Sequence, residues 1–344
     1  MRARTLLAAA ALAALALRPA LARDLGVLTN GRMLGAVRTI VAAPFTTAAG
    51  IAVAVESWSG GLENLQSRLK PTPPAFDLVQ LNPEELQPAC DDGLLDKIDY
   101  AAIGGKDHYL PQAVTDCGVG AALTALVLAW DKDKFPSTPT WADFWDVAKY
   151  PGKRGLAAGP RGNLEIALLA DGVAPGDVYK TLASGDGVDR AFRKLDQLRP
   201  YIVWWHDGAE AVHLLDSGDA MMTSAPSDAV VAANRTGHRS FGIQWAGNQW
   251  AMQYWGLVKG APNQRQAVQF LYFVATPAVG ARLTARAAVG PVTKGATDFL
   301  APDELAVSPA NPANLSAGLR QDNAFWRDNL DKLRQRFEAW QSAH

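Results

Sequence analysis

From residue 25 onward the chain switches repeatedly between two apolar periods. Residues 25–29 are a short apolar run and predict a strand. Residues 33–49 carry apolar positions at helical spacing and stop at Gly50. Residues 51–56 alternate and are valine-rich, which predicts a second strand. A polar-faced helix over 61–70 ends in the proline-rich run 71–74, and 76–81 predicts a third strand. Asn82-Pro83-Glu84-Glu85 then opens a helix: a cap, proline at the first helical position, and an acid at the third. This β-α-β-α order predicts an α/β fold with a mostly parallel sheet.

The middle of the chain repeats the theme. Residues 121–130 predict a long apolar strand. Thr140 caps a helix with Asp143 three residues on, and Pro151-Gly152 ends it. Asn163 caps a helix over 164–170, with Gly172 as the stop. A helix over 188–198 breaks at Pro200, and 202–205 is a strand. The next helix starts near Asp207 and stops at Gly218. Residues 220–223 are a strand, and Ser227 caps a helix to Asn234. Residues 254–258 form a strand leading to Gly260, and Asn263 opens a helix through Phe273. Near the end, Trp326, Leu330, Leu333, Phe337 and Trp340 recur at spacings of four and three. That single apolar stripe covers barely two heptads, so it is expected to dock on the chain's own body rather than pair two chains. A monomer is the expectation.

The first residues read as a signal peptide over 1–22. Arg2 and Arg4 form a basic start, 5–17 are apolar, and Ala20-Leu21-Ala22 supplies small residues for cleavage before Arg23. The apolar run is shorter than the roughly 20 residues a spanning helix needs. A freely soluble, exported chain without membrane insertion is expected. Its two cysteines, Cys90 and Cys117, are then expected to form a disulfide. Basic and acidic residues number 33 and 34, which argues against a nucleic-acid partner. The length of 344 residues exceeds what one core usually supports, so two lobes are expected.

Open α/β sheets bind ligands beyond the carboxyl ends of their strands. That rule selects Asn30 and Arg32, Trp58 and Ser59, the turn at Leu81-Asn82, Arg161 in Pro160-Arg161-Gly162-Asn163, Trp205 and Asp207, Ser227 and Asp228, and Gln253 with Tyr254. Trp205, Asp207 and Asp228 suit an ammonium group, because aromatic faces and carboxylates both attract cations. Arg161 and the N–H groups before Leu164 suit a carboxylate or phosphonate. Only one of Trp204 and Trp205 can reach a given face of a strand. His206, Glu210 and His213 share a helix face, but that pattern is ordinary on an exposed helix. No HExxH, Gly-x-Ser-x-Gly, Walker or dinucleotide fingerprint occurs. No catalytic residue, metal or cofactor is therefore expected.

Several longer segments are familiar. Thr140-Trp-Ala-Asp-Phe-Trp-Asp146 with Tyr150-Pro-Gly-Lys-Arg-Gly155 resembles a signature of extracellular solute-binding proteins related to spermidine/putrescine receptors. The resemblance extends through 164–172, Val203-Trp-Trp205, Val258-Lys-Gly-Ala-Pro-Asn263, and Pro44-Phe45 with Thr47-Ala-Ala-Gly50-Ile51. It implies a type II periplasmic binding fold, two α/β lobes on a hinge with a cleft between them. It also implies a small-molecule ligand and, as partners, an ABC permease and ATPase. On that pattern 23–128 with 256–318 form one lobe, 129–255 the other, and 319–344 a docked helix. Crossings fall near 129–130 and 255–256. Where polyamine receptors carry acids, this chain has Gln253 and the loop Arg161-Gly162-Asn163. Asp228 lies in Pro226-Ser227-Asp228, where relatives that bind amino acids or other small amines show an Asn-Gly-Arg-like run. A zwitterionic amine is therefore expected ahead of a bare polyamine. A periplasmic sensor subunit and a secreted α/β enzyme are the competing functions.

Overall fold

The computed structural model describes residues 23–237 and 239–343, so the expected signal peptide lies outside the described residues. Ten strands form one mixed sheet: β1 Leu25–Asn30, β2 Val53–Trp58, β3 Leu78–Leu81, β4 Leu95–Asp96, β5 Val119–Asp131, β6 Arg154–Ala157, β7 Ile202–Trp205, β8 Met222–Pro226, β9 Phe241–Val258 and β10 Leu319–Arg320. The main order is β2-β1-β3-β9-β5-β8-β6-β7, with β4 and β10 also pairing β9. At one end β1 runs parallel to β2 and β3; at the other β6 runs parallel to β7 and β8. Between them β5 and β9 run antiparallel to each other and to β3 and β8. Each end is thus an α/β lobe, and two long strands serve both.

The apolar cores divide along the same line. One cluster gathers Leu25 to Val127 with Trp250 to Val292. The others begin at Leu128 and Ala129, take in Trp205, Met222 and Phe241, and include Leu319, Trp326, Leu333 and Phe337. The core therefore changes within one residue step of β5. The β5–β9 register also slips there: Leu126 faces Gln249 but Leu128 faces Gln244. On β5 that slip falls just before the crossing expected near 129–130, whereas on β9 it lies at 244–249, well ahead of the one expected near 255–256.

Most elements form where the patterns place them. The helical run 31–49 ends on Gly50 at φ 68°, a left-handed position that favours glycine. Asn82 and Glu85 make the expected capping box. Three expectations need correction. Asn163 is the first residue of its helix rather than the cap, because its amide donates to the carbonyls of Ala157 and Gly159, both at 2.7 Å. Glu165 instead receives the N–H of Gly162, the residue before the helix, at 2.9 Å. Ser227 likewise opens its helix, after Pro226. The helix after Thr140 ends at Trp145, well before Pro151. The largest omission is β9, predicted only over 254–258 but beginning at Phe241. Its earlier half holds Gly242, Gly247 and Asn248 and lacks a clean alternation.

The terminal helix Asn323–Ser342 buries Trp326, Leu333 and Phe337 against the second lobe. Trp204 meets Phe337 edge-on at 5.5 Å and Trp340 at 6.1 Å between ring centres. Cys90 and Cys117 are bridged, with Cα atoms 5.8 Å apart.

Candidate functional site

The carboxyl ends of β1, β2 and β3 on one lobe and of β6, β7 and β8 on the other carry the candidate ligand loops by the rule for open α/β sheets. A file of buried side chains lies beneath the first set. Thr29 donates its hydroxyl to Gln80 Oε1, which also accepts from Asn30 N at 3.2 Å. Gln80 Nε2 donates to Gln253 Oε1 at 2.8 Å, and Gln253 Nε2 reaches Asn82 Oδ1 at 3.5 Å. Trp58 Nε1 donates to the Gln80 carbonyl at 2.9 Å. These bonds tie β1, β2, β3 and β9 together where their loops begin. Tyr254 follows Gln253 in the strand and so turns to the other face. Its hydroxyl donates to the Gln112 carbonyl at 3.0 Å. Ser59 is exposed, within 3.4 Å of Asn64.

Two ion pairs cross from lobe to lobe. Arg32 Nη1 of the first lobe meets Asp228 Oδ1 of the second at 3.2 Å. Arg161 Nη1 of the second meets Glu84 Oε1 of the first at 2.6 Å. Burial pushes the Asp228 carboxyl above its ordinary value, while the Arg32 charge pulls the other way. Beside the first pair runs a groove of about 610 Å³, with Gly208, Val212 and Ala288 among its lining residues. Beside the second runs one of about 550 Å³, with Tyr254, Arg320 and Asn323 in its wall.

The second lobe contains several buried polar atoms that find no hydrogen-bond partner among the described residues. They include Arg161 Nε and Nη2, Asn163 Oδ1, Ser224 Oγ, Ser227 Oγ and Trp205 Nε1, and on the first lobe Glu84 Oε2 is in the same state. Such atoms cost free energy unless a partner arrives, so each is a candidate to meet a polar group of a ligand. Asp207 is differently occupied: its Oδ1 accepts from Ala209 N at 2.8 Å and Glu210 N at 3.0 Å, capping the helix Gly208–Asp216. Glu210 Oε2 accepts from His206 N at 2.7 Å. Among the described residues, no group of three His, Cys, Asp or Glu side chains could hold a metal. Thr29, Gln80 and Glu84 were not singled out as ligand residues from sequence, whereas Asn82 lies in a turn that was. Glu84 read only as the second residue of a well-formed helix start.

Comparison with known proteins agrees with this arrangement. The family described as bacterial extracellular solute-binding protein matches residues 41–313. The chain belongs to that family. The gamma-aminobutyric acid-binding protein of Pseudomonas aeruginosa is 37% identical over 298 residues, covering 86% of this chain and 84% of that protein. A solved GABA receptor superposes with a TM-score of 0.82 at 27% identity, over 94% of this chain and 98% of that one. An ABC transporter substrate-binding protein from Bradyrhizobium japonicum gives 0.83 at 27% identity, over 92% and 98%. The fold is that of the periplasmic binding proteins, and the chain is a solute-binding protein of ABC import. No described helix is long and apolar enough to cross a membrane.

Proposed function

We propose that this solute-binding protein takes up a small zwitterion in which an amine and a carboxylate are separated by a short chain, as in γ-aminobutyrate. The observation that carries this reading is the Arg161 guanidinium, whose Nε and Nη2 are buried without a partner among the described residues. Two N–H donors on one edge of a planar guanidinium match the two oxygens of a carboxylate. Ser224 and Ser227 add unpartnered hydroxyls in the same lobe. Asp228 adds a negative charge on the same lobe, and Trp205 ends β7, two strands from β8 in the sheet. The likeness to a gamma-aminobutyric acid-binding protein supports the same ligand class.

On this reading the protein works as a monomer in the periplasm, exported by the pattern over 1–22. It hands its ligand to a membrane permease driven by an ATPase. Lobe one comprises 23–128 and 256–318, lobe two 129–255, with exchange of the chain centred on the β5–β9 register slip. Binding, not catalysis, is its role.

Calorimetry on residues 23–344 tests the ligand class. γ-Aminobutyrate should bind, and Arg161→Ala should weaken it at least tenfold, a loss of about 1.4 kcal/mol. Tight spermidine binding that Arg161→Ala leaves unchanged would overturn the reading in favour of a polyamine.

A further inference from the structure

We propose that Glu84 is a specificity-determining residue of the cleft, selecting solutes that carry one positive and one negative charge. The proposal rests on the zwitterion reading above and goes on to name what enforces it. Glu84 Oε1 lies 2.6 Å from Arg161 Nη1, and the two side chains are only 24% and 20% exposed. The pair joins opposite lobes. Glu84 Oε2 has no accessible surface to speak of and no hydrogen-bond partner among the described residues, and the same holds for Arg161 Nε and Nη2.

Such a pair is poorly explained as a strut. Taking two charges out of water is costly, and their attraction repays it only when the remaining lone pairs and protons are satisfied. Here each partner keeps unsatisfied positions: an acceptor on the anion, two donors on the cation. A zwitterion laid antiparallel to the pair supplies both. Its carboxylate accepts from the Nε/Nη2 edge of Arg161, and its ammonium donates to Glu84 Oε2. All four charges then have an opposite neighbour.

The same geometry rejects the other charge patterns. A dicarboxylate would set its second anion against Glu84. A diamine would set one ammonium against Arg161. Both would leave a desolvated charge beside a like charge, which disfavours them. Arg161 alone would favour anions in general; Glu84 narrows that preference.

Calorimetry with γ-aminobutyrate, butyrate and glutarate on the unsubstituted protein, Glu84→Gln and Glu84→Asp tests this. The unsubstituted protein should prefer γ-aminobutyrate to both acids. Glu84→Gln should lower the γ-aminobutyrate-to-butyrate affinity ratio at least tenfold, by weakening the first and strengthening the second, and should raise glutarate affinity. Glu84→Asp should keep most of the preference. Unfolding midpoints measured alongside separate lost folding from lost selectivity. A ratio unchanged in Glu84→Gln, with γ-aminobutyrate still bound and still dependent on Arg161, overturns the role of Glu84 alone. Failure of the unsubstituted protein to bind γ-aminobutyrate overturns the zwitterion reading and this proposal with it.

Discussion

Glu165 shows how a single side chain couples the ligand loop to the rest of the second lobe. It is fully buried. Its carboxylate accepts from Gly162 N at 2.9 Å, from the Tyr179 hydroxyl at 2.8 Å and from Trp326 Nε1 at 2.7 Å. It thus joins the Arg161 loop to the terminal helix. Burial raises its pKa from the ordinary 4.5, while these donors and the Arg161 charge oppose the rise. A carboxyl raised on folding binds its proton more tightly in the native state. Its favourable contribution is therefore complete below 4.5 and is lost as pH climbs through the raised value. Glu85, buried under Gly60 and Gly61, has the same sign. Glu165→Gln should remove one such step. Urea denaturation from pH 4 upward should show the unsubstituted protein losing stability relative to the variant as pH rises, and a pH-independent difference would contradict this. Sequence exposed little of this scale. Loop position singled out Arg161 and Asp228 because both follow strand ends. Glu84 and Gln80 could not be recognised, because their meaning comes from partners far along the chain; Gln80 bonds Gln253, 173 residues away.

At the scale of elements, the terminal helix is the best test of packing. Phe337 is 1% exposed and sits among Phe192, Trp204 and Trp340, with ring centres 5.2–6.3 Å away. Truncating a fully buried phenylalanine removes its burial and leaves a cavity that a rigid aromatic cluster cannot refill, at a cost of about 3–5 kcal/mol. Phe337→Ala should lower stability by that amount in denaturant unfolding, and a loss under about 1 kcal/mol would show the helix to be peripheral. This helix was legible because its stripe repeats at helical period over the whole element. The short strand β7 was legible too, lying between Pro200 and the Asp207 cap. By contrast β6 and the first half of β9 carry glycine, arginine and amides at core positions. Arg154 is wholly buried in β6, its guanidinium held by the carbonyls of Phe144, Tyr150 and Gly152. Burial of that kind depends on backbone brought in from another segment, so no apolar period announces it.

The whole molecule is two lobes that share two strands, and that construction limits how they can move. Both β5 and β9 pass from one core to the next, and their pairing is interrupted where the cores meet. A ladder missing regular bonds at one level bends there more readily, so we propose the slip at Leu126–Leu128 opposite Gln244–Gln249 as the hinge. Contacts across the cleft, Arg32 to Asp228 and Arg161 to Glu84, exist only while the lobes are together. Arg32 is 41% exposed, and an ion pair that open to solvent contributes little on its own. Ligand bridging Arg161 and Glu84 adds contacts to both lobes at once. Since a ligand shifts an equilibrium only by its difference in affinity for the two states, such bridging favours the closed form. Small-angle scattering should therefore give a smaller radius of gyration with saturating ligand than without it. Glu84→Gln, which breaks the lobe-to-lobe pair nearest the proposed ligand groups, should reduce that contraction at equal ligand occupancy. An unchanged radius on verified ligand binding would mean that the shared strands hold the lobes rigidly and that selection occurs in a preformed cleft.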